Sequence, residues 1–312
     1  MVPRTRTPGA VPATPDGGAP AALVILFCLG WSSAFAVGKI GIQSCPPLLF
    51  LSLRFLLAGG ALCLAAAVLG QLRGLGLRGW TVLALLGVLN NSLYLGLTFA
   101  ALETVSSGLV TLIVSANPVL TAAAATLVLG EAMSARKTLG LVLGMAGVAF
   151  VVRGRLGGGD DPTGIALALG AAVAMVAGTL LFKRLAPRVP VVPAGGVQIL
   201  AGGLALLPVG LALEDPELLT VDTPFLLSLG YMAFVVSVGA HLLWFLLLQR
   251  STATAASAYH FLMPPLGLAF GWLLLGEAAQ PWDLAGIVPV ALGIWLVTRA
   301  PTAALTPAPA RG

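Results

Sequence analysis

The chain has 312 residues, 58% of them hydrophobic and 9% charged, where a soluble domain carries about a quarter charged residues. Mean hydropathy is +1.02, and the charged residues sit in short clusters between apolar runs of about twenty residues. That pattern excludes a soluble enzyme, a nucleic-acid binder and a disordered scaffold, and the +5 net charge comes without the basic run and interleaved aromatics of a nucleic-acid surface.

In chain order, residues 1–20 are rich in Pro, Gly, Thr and Ala and read as a flexible tail. Apolar spans follow at 21–40, 47–69, 80–101, 105–129, 136–152, 163–182, 193–213, 224–248, 252–275 and 283–298, and a Pro/Ala-rich tail closes the chain from 299 to 312. The runs are continuous rather than alternating, which disfavours a β-barrel. The fold class expected is an all-α polytopic membrane protein with ten transmembrane helices in two inverted five-helix repeats. No loop is long enough for a separate domain, so function belongs to the helix bundle. Cys28, Cys45 and Cys63 are odd in number and lack metal-ligand spacing.

Basic residues set the direction. With the N-terminus cytoplasmic, twelve of the sixteen Lys and Arg fall on the cytoplasmic side; Lys39, Arg153 and Arg155 fall outside, and Arg54 lies within the second span. Both termini are therefore expected in the cytoplasm, and the high Ala, Gly and Arg usage, compatible with a GC-rich bacterium, implies the cytoplasmic (inner) membrane.

The chain also repeats. A shift of 146 residues lays Pro118–Val151 on Pro264–Val297 without a gap, matching Pro118 with Pro264, Leu129-Gly130-Glu131-Ala132 with Leu275-Gly276-Glu277-Ala278, Gly140 with Gly286 and Gly147 with Gly293. Nearer the start of each copy a shift of 144 matches Lys39 with Lys183, Arg54 with Gln198 and Gly59 with Gly203. The units are expected at 21–156 and 162–298. Five spans per unit is odd, so the second copy enters the membrane from the opposite side, the architecture that alternating access uses.

Two five-helix repeats, each with Leu-Gly-Glu followed by a Gly-rich helix (Gly140, Gly144 and Gly147; Gly286 and Gly293), together with Trp31-Ser-Ser-Ala-Phe, Lys39 and Arg54-Phe, resemble the EamA family of the drug/metabolite transporter superfamily over roughly residues 20–299. The resemblance implies export of amino acids or related small metabolites, in a family that also holds uptake and multidrug carriers. Gln198 departs from a symmetric pair of cations at the place matching Arg54, which argues against a dianion site.

Polar residues within the spans are candidate lining residues, and each has the alternative of bonding helix to helix. The candidates are Trp31, Ser33, Arg54, Asn90, Asn91, Tyr94, Ser115, Asn117, Gln198, His241, Trp244 and His260. Arg54 suits a substrate carboxylate or snorkels to the interface. His241 and His260 titrate near neutrality when unperturbed and offer proton coupling, or pack as neutral rings. Asn90, Asn91, Ser92 and Tyr94 form a polar patch suited to a zwitterion. Pro118 and Pro264 remove backbone donors at matched places and read as hinges. Glu131 and Glu277 read as caps at the N-terminus of the helix that follows each. The glycine face of the fifth span serves either internal packing or a dimer, so the chain is monomer or homodimer.

The expected function is a secondary transporter for a small polar metabolite, not an enzyme. It has no cofactor, metal or nucleic-acid partner, and no phosphate loop for ATP. The alternatives are an intramembrane lipid-modifying enzyme using His241 or His260 as base, and a channel or scaffold.

Overall fold

The computed structural model describes residues 19–72, 76–102, 104–105, 110, 113–152, 161–185, 190–276 and 281–299. The expected tails at 1–20 and 299–312 lie outside them except for Ala19, Pro20 and Arg299, and so does Glu277. Among the described residues the regular structure is helical throughout: α1 (Ala21–Gly41), α2 (Pro47–Val68), α3 (Leu77–Ala101), α4 (Ile113–Leu129), α5 (Ala135–Val152), α6 (Pro162–Leu185), α7 (Val191–Leu213), α8 (Thr223–Arg250), α9 (Ala253–Leu275) and α10 (Pro281–Thr298), with one short 3-10 turn at Pro216–Leu218. Seven helices among the described residues are long and apolar enough to cross a membrane: α1, α2, α3, α6, α7, α8 and α9. Many large apolar side chains point outward, Leu127 at 86% exposure and Val68 at 79% among them. Such a surface is stable against hydrocarbon and not against water. The protein is a multi-pass membrane protein.

The helices begin and end where local chemistry dictates. Pro46 and Pro47 open α2, where a missing N–H costs nothing. Gly130 and Gly276 close α4 and α9 in the left-handed region, at φ +68° and +67°, which a Cβ would strain. These are the glycines of the two Leu-Gly-Glu motifs, so the motif is a helix stop. Glu131 then turns away from its own helix. Its carboxylate accepts from the Ala253 N–H (2.7 Å), the Thr254 hydroxyl (2.6 Å) and the Thr254 N–H (3.3 Å). The expected capping role holds, but the terminus is that of α9, and Ser134 caps α5 instead, through the Lys137 N–H. Sequence proximity suggested α5; the bundle brings α9 nearer. Glu214 does the same for α2, accepting from the Leu48 and Leu49 N–H groups at 2.8 Å each.

The two halves pack as exchangeable copies. The broadest interfaces join repeat mates, α2 with α7 and α5 with α10. The remaining main pairs also map onto one another: α1 on α8 and α9 corresponds to α6 on α3 and α4. Glycine contacts give the direction. Along α2 and α7, a Cβ on Gly196 would meet Cys63, one on Gly203 Phe55, and one on Gly210 Leu49, so one helix climbs as the other descends. On α5 and α10, Gly140 lies against Gly293 and Gly147 against Gly286, again antiparallel. Mates that run antiparallel are what an inverted repeat requires. The glycine face of α5 is thus used inside the molecule, against α10, at approaches only a hydrogen allows: an added Cβ on Gly140 would lie 2.7 Å from the Gly293 carbonyl oxygen.

Helix regularity breaks at matched places. In α9 a 3-10 turn, Tyr259–Leu262, precedes Met263 and Pro264; in α4 a turn at Ala116 precedes Asn117 and Pro118. Both prolines are buried and both sit in the first turn of the segment that follows the break. The mates α3 and α8 carry a second matched irregularity, π-helical stretches at Val88–Leu93 and Met232–Ala240. A π turn is rare and concentrates at functional sites.

Candidate functional site

The site is built around the π stretch of α8. Ser237 lies on it, and its hydroxyl oxygen accepts from Arg54 Nε of α2 at 2.6 Å. Arg54 is 4% exposed and also lies 5.1 Å from the ring centre of its neighbour Phe55. Ser237 is its only hydrogen-bonding partner among the described residues. The guanidinium is therefore a buried cation held by a neutral hydroxyl.

His241 begins the regular helix just after the π stretch, one turn beyond Ser237. Its Nδ1 lies 3.2 Å from the Val236 carbonyl. On α9, the 3-10 turn presents His260, whose Nδ1 lies 3.1 Å from the Ser257 carbonyl. A carbonyl only accepts, so in both rings Nδ1 carries the proton and Nε2 offers a lone pair. His260 Nε2 is buried and has no partner.

Aromatic rings join these groups. Trp31 of α1 lies 4.7 Å from the ring of His241 and 6.0 Å from that of His260. Trp244 of α8 meets His260 edge to face at 4.7 Å. Phe27 stacks on Trp244 at 5.5 Å and also contacts Trp31 and His260. Ser32 ties α1 to α9 through Met263 Sδ, and Ser33 bonds the Tyr231 hydroxyl at 2.8 Å, toward the far end of α8. A cation, two imidazole acceptors and three apolar rings thus converge from α1, α2, α8 and α9.

The other candidates stand apart. The Asn90–Tyr94 patch is split by the π stretch of α3. Asn90 lies over Gly178 of α6, while Asn91 donates to the Gln198 carbonyl at 3.3 Å and Ser92 to the Gly202 carbonyl at 2.7 Å, both on α7. Tyr94 packs with Ala171, Ala174 and Met175. Gln198 bonds back to its own helix at the Ala194 carbonyl, leaving its Oε1 unpartnered, as is Asn91 Oδ1. Asn117 accepts from Thr121 and keeps an unpartnered Nδ2; Ser115 is buried beside it on α4. Reading the sequence missed Phe27, which looks like any core residue, and Ser237, whose partner is set only by the bundle.

The repeat gives this arrangement a comparison within the molecule. The 146-residue shift carries Ser237 onto Asn91, and the 144-residue shift carries Arg54 onto Gln198. The Arg54–Ser237 contact and the Asn91–Gln198 contact therefore occupy equivalent places. Phe27, Trp31, His241 and His260 map onto Ala171, Met175, Leu95 and Val114, and these four pack together as an apolar cluster with Tyr94. The imidazoles and large rings occur in one half, and small or aliphatic side chains stand at the matching places in the other.

Such a fold, two copies of a helical unit packed antiparallel with buried polar groups between them, defines an integral membrane protein of the two-repeat carrier class. The EamA-like transporter family matches residues 19–153 and 162–299, and the chain belongs to that family, within the drug/metabolite transporter superfamily. It is 31% identical over 279 residues to the Bacillus subtilis transporter YvbV, covering 89% of this chain and 90% of that one. It is 28% identical over 285 residues to a Salmonella typhimurium protein named a probable amino-acid metabolite efflux pump, covering 88% and 93%. A crystal structure superposes with a TM-score of 0.76 over 89% of this chain and 95% of that one, at 19% identity, a likeness of fold alone.

Proposed function

We propose that the chain is a secondary transporter that exports a small polar metabolite, an amino acid or a derivative of one, across the cytoplasmic membrane by alternating access. Ten spans, five in each of the units 21–156 and 162–298, would place both termini in the cytoplasm. The observation that carries this reading is the antiparallel pairing of repeat mates around an asymmetric polar site. Exchanging the conformations of two inverted halves turns a site open on one side into one open on the other. The matched breaks before Pro118 and Pro264 and the matched π stretches supply places where α3, α4, α8 and α9 bend. The partners are the metabolite and the lipid bilayer. No cofactor is required, and any proton coupling would run through His241 or His260. The name of the Salmonella relative supports both the substrate class and the direction.

Reconstituted protein tests the proposal. Liposomes loaded with labelled amino acids and their acylated or deaminated derivatives should release at least one label faster than protein-free liposomes, with saturation and with trans-stimulation by the same unlabelled compound. Folded protein that moves none of a broad panel, or moves it without saturation, refutes the carrier reading.

A further inference from the structure

The proposed transport function leaves the substrate's chemistry open, and the one-sided site narrows it. Arg54 is a buried cation without a paired carboxylate among the described residues. Guanidinium does not lose its proton in a protein, and an unpaired buried charge is costly. A ligand carboxylate removes that cost with a bidentate contact. The site thus asks for one negative charge, and the neutral Gln198 at the equivalent place asks for no second one.

The rest of the site lies away from the cation. From Arg54 the groups run through Ser237 and His241 to Trp31, and across the rings of Trp31, Trp244 and Phe27 to His260. At that far end stands an unpartnered lone pair on His260 Nε2, buried among three apolar rings. A buried acceptor of this kind is satisfied by an N–H or O–H donor of a ligand. The ammonium group of an α-amino acid cannot reach it while the carboxylate sits on Arg54, because the two are held on one carbon. It would instead lie beside the guanidinium, cation against cation, with no carboxylate among the described residues bonded there.

We propose that this site takes an aromatic monocarboxylate that lacks an α-ammonium group and carries an N–H or O–H donor at the far end of its ring. The carboxylate pairs with Arg54, the ring stacks against Trp31, Trp244 and Phe27 in place of part of the contact these rings now make with one another, and the donor bonds His260 Nε2. The inference rests on the carrier reading above and refines its substrate, from amino acid toward deaminated or N-acylated derivative.

Binding to purified full-length protein in nanodiscs, read by calorimetry and thermal shift, tests it without any need for flux. Four probes separate the groups: 3-(4-hydroxyphenyl)propanoate, tyrosine (the same skeleton with the ammonium), tyramine (no carboxylate) and 3-phenylpropanoate (no phenol). The first should bind at least about tenfold tighter than each of the others, the difference a charge-assisted or buried hydrogen bond supplies. Arg54→Gln, the residue the other half already holds, should abolish binding while the protein stays folded by size exclusion. His260→Phe, which keeps a ring in place, should bring hydroxyphenylpropanoate down to the level of phenylpropanoate and leave the latter unchanged. Tyrosine binding as tightly as its desamino analogue overturns the proposal, as does unchanged binding in Arg54→Gln. Saturable flux of free amino acids combined with no binding of the aromatic acids would sink this inference and leave the carrier reading standing.

Discussion

Removing the Glu131 carboxylate should loosen a helix more than a hundred residues away in sequence and leave the adjacent one unmoved. Two of its three bonds, to the Ala253 N–H at 2.7 Å and the Thr254 hydroxyl at 2.6 Å, are short; the third, to the Thr254 N–H, is long at 3.3 Å. Two short charge-assisted bonds at about 1 kcal/mol net each, and about 1 kcal/mol from a negative charge at a helix N-terminus, give about 3 kcal/mol for Glu131→Ala. Glu131→Gln keeps an acceptor and loses the charge, so about half that is expected. Reversible SDS unfolding in mixed micelles measures the loss. Hydrogen exchange locates it: a local cost of about 3 kcal/mol speeds exchange of the Ala253 and Thr254 amides roughly 100-fold. Amides in the first turn of α5, which Ser134 caps, should keep their rates. Equal stability of the Ala variant and wild type, or acceleration in α5 instead of α9, refutes the remote cap.

Gly59→Ala should cost more than about 2 kcal/mol, because its Cβ would enter the Leu200 backbone, whereas Gly60→Ala meets nothing within 4 Å and should gain up to about 1 kcal/mol from helix propensity; unfolding of the pair checks both. Lys183 Nζ donates to the Leu248 and Ser251 carbonyls at the α8–α9 turn that Glu131 also holds, so Lys183→Met and Glu131→Ala should be non-additive by about 0.5 kcal/mol or more in a double-mutant cycle. Cys45, in the α1–α2 turn, has its thiol pushed up to about 11, by burial first and by the Glu214 carboxylate second. The thiol form therefore persists to high pH, and in a Cys28→Ala/Cys63→Ala background methanethiosulfonate labelling should climb about tenfold per pH step from 8 to 10 rather than level off near 9. Glu214→Gln should move the break of that profile to lower pH; an unchanged profile would contradict the charge effect. Gln198→Arg, which buries a second unpaired cation, should cost several kcal/mol and lower the folded yield, while Arg54→Gln should leave it intact.

The architecture could be read because its cause is periodic. Continuous apolar runs set the helices, and spaced Pro, Gly and Glu matches exposed the repeat despite a composition in which Leu and Ala matches are cheap. Trp31, Arg54, His241, Trp244 and His260 could be nominated for a related reason: a charged, imidazole or indole group inside an apolar run is conspicuous. Their grouping was not legible, since Asn91, Gln198 and Asn117 are just as conspicuous and lie elsewhere. Nothing in a run such as Met232–Ala240 announces a π stretch, nor that the stretch packs against α1 and α2. The target of Glu131 was hidden for a similar reason. Capping chemistry is local, but which helix end lies within reach is decided by the whole bundle.

The same periodic record explains why the site can occupy one half only. A repeat keeps what the fold needs in both copies: the glycines between mates, the helix stops and the prolines after each break. It is free to diverge where the fold does not need the match. Arg54 and Gln198 are both buried and hold equivalent places, yet one is charged and the other neutral. The rings of Phe27 and Trp31 are replaced in the mate by Ala171 and Met175, which pack with Leu95, Val114 and Tyr94. Packing alone does not demand such a split, since the small set fills its half with apolar contacts and buries no charge. Both sets leave buried polar atoms unpartnered, Asn91 Oδ1, Gln198 Oε1 and Asn117 Nδ2 in one and His260 Nε2 in the other, but the set around Arg54 adds a buried charge, and a charge inside a bilayer is costly enough to mark a candidate functional site.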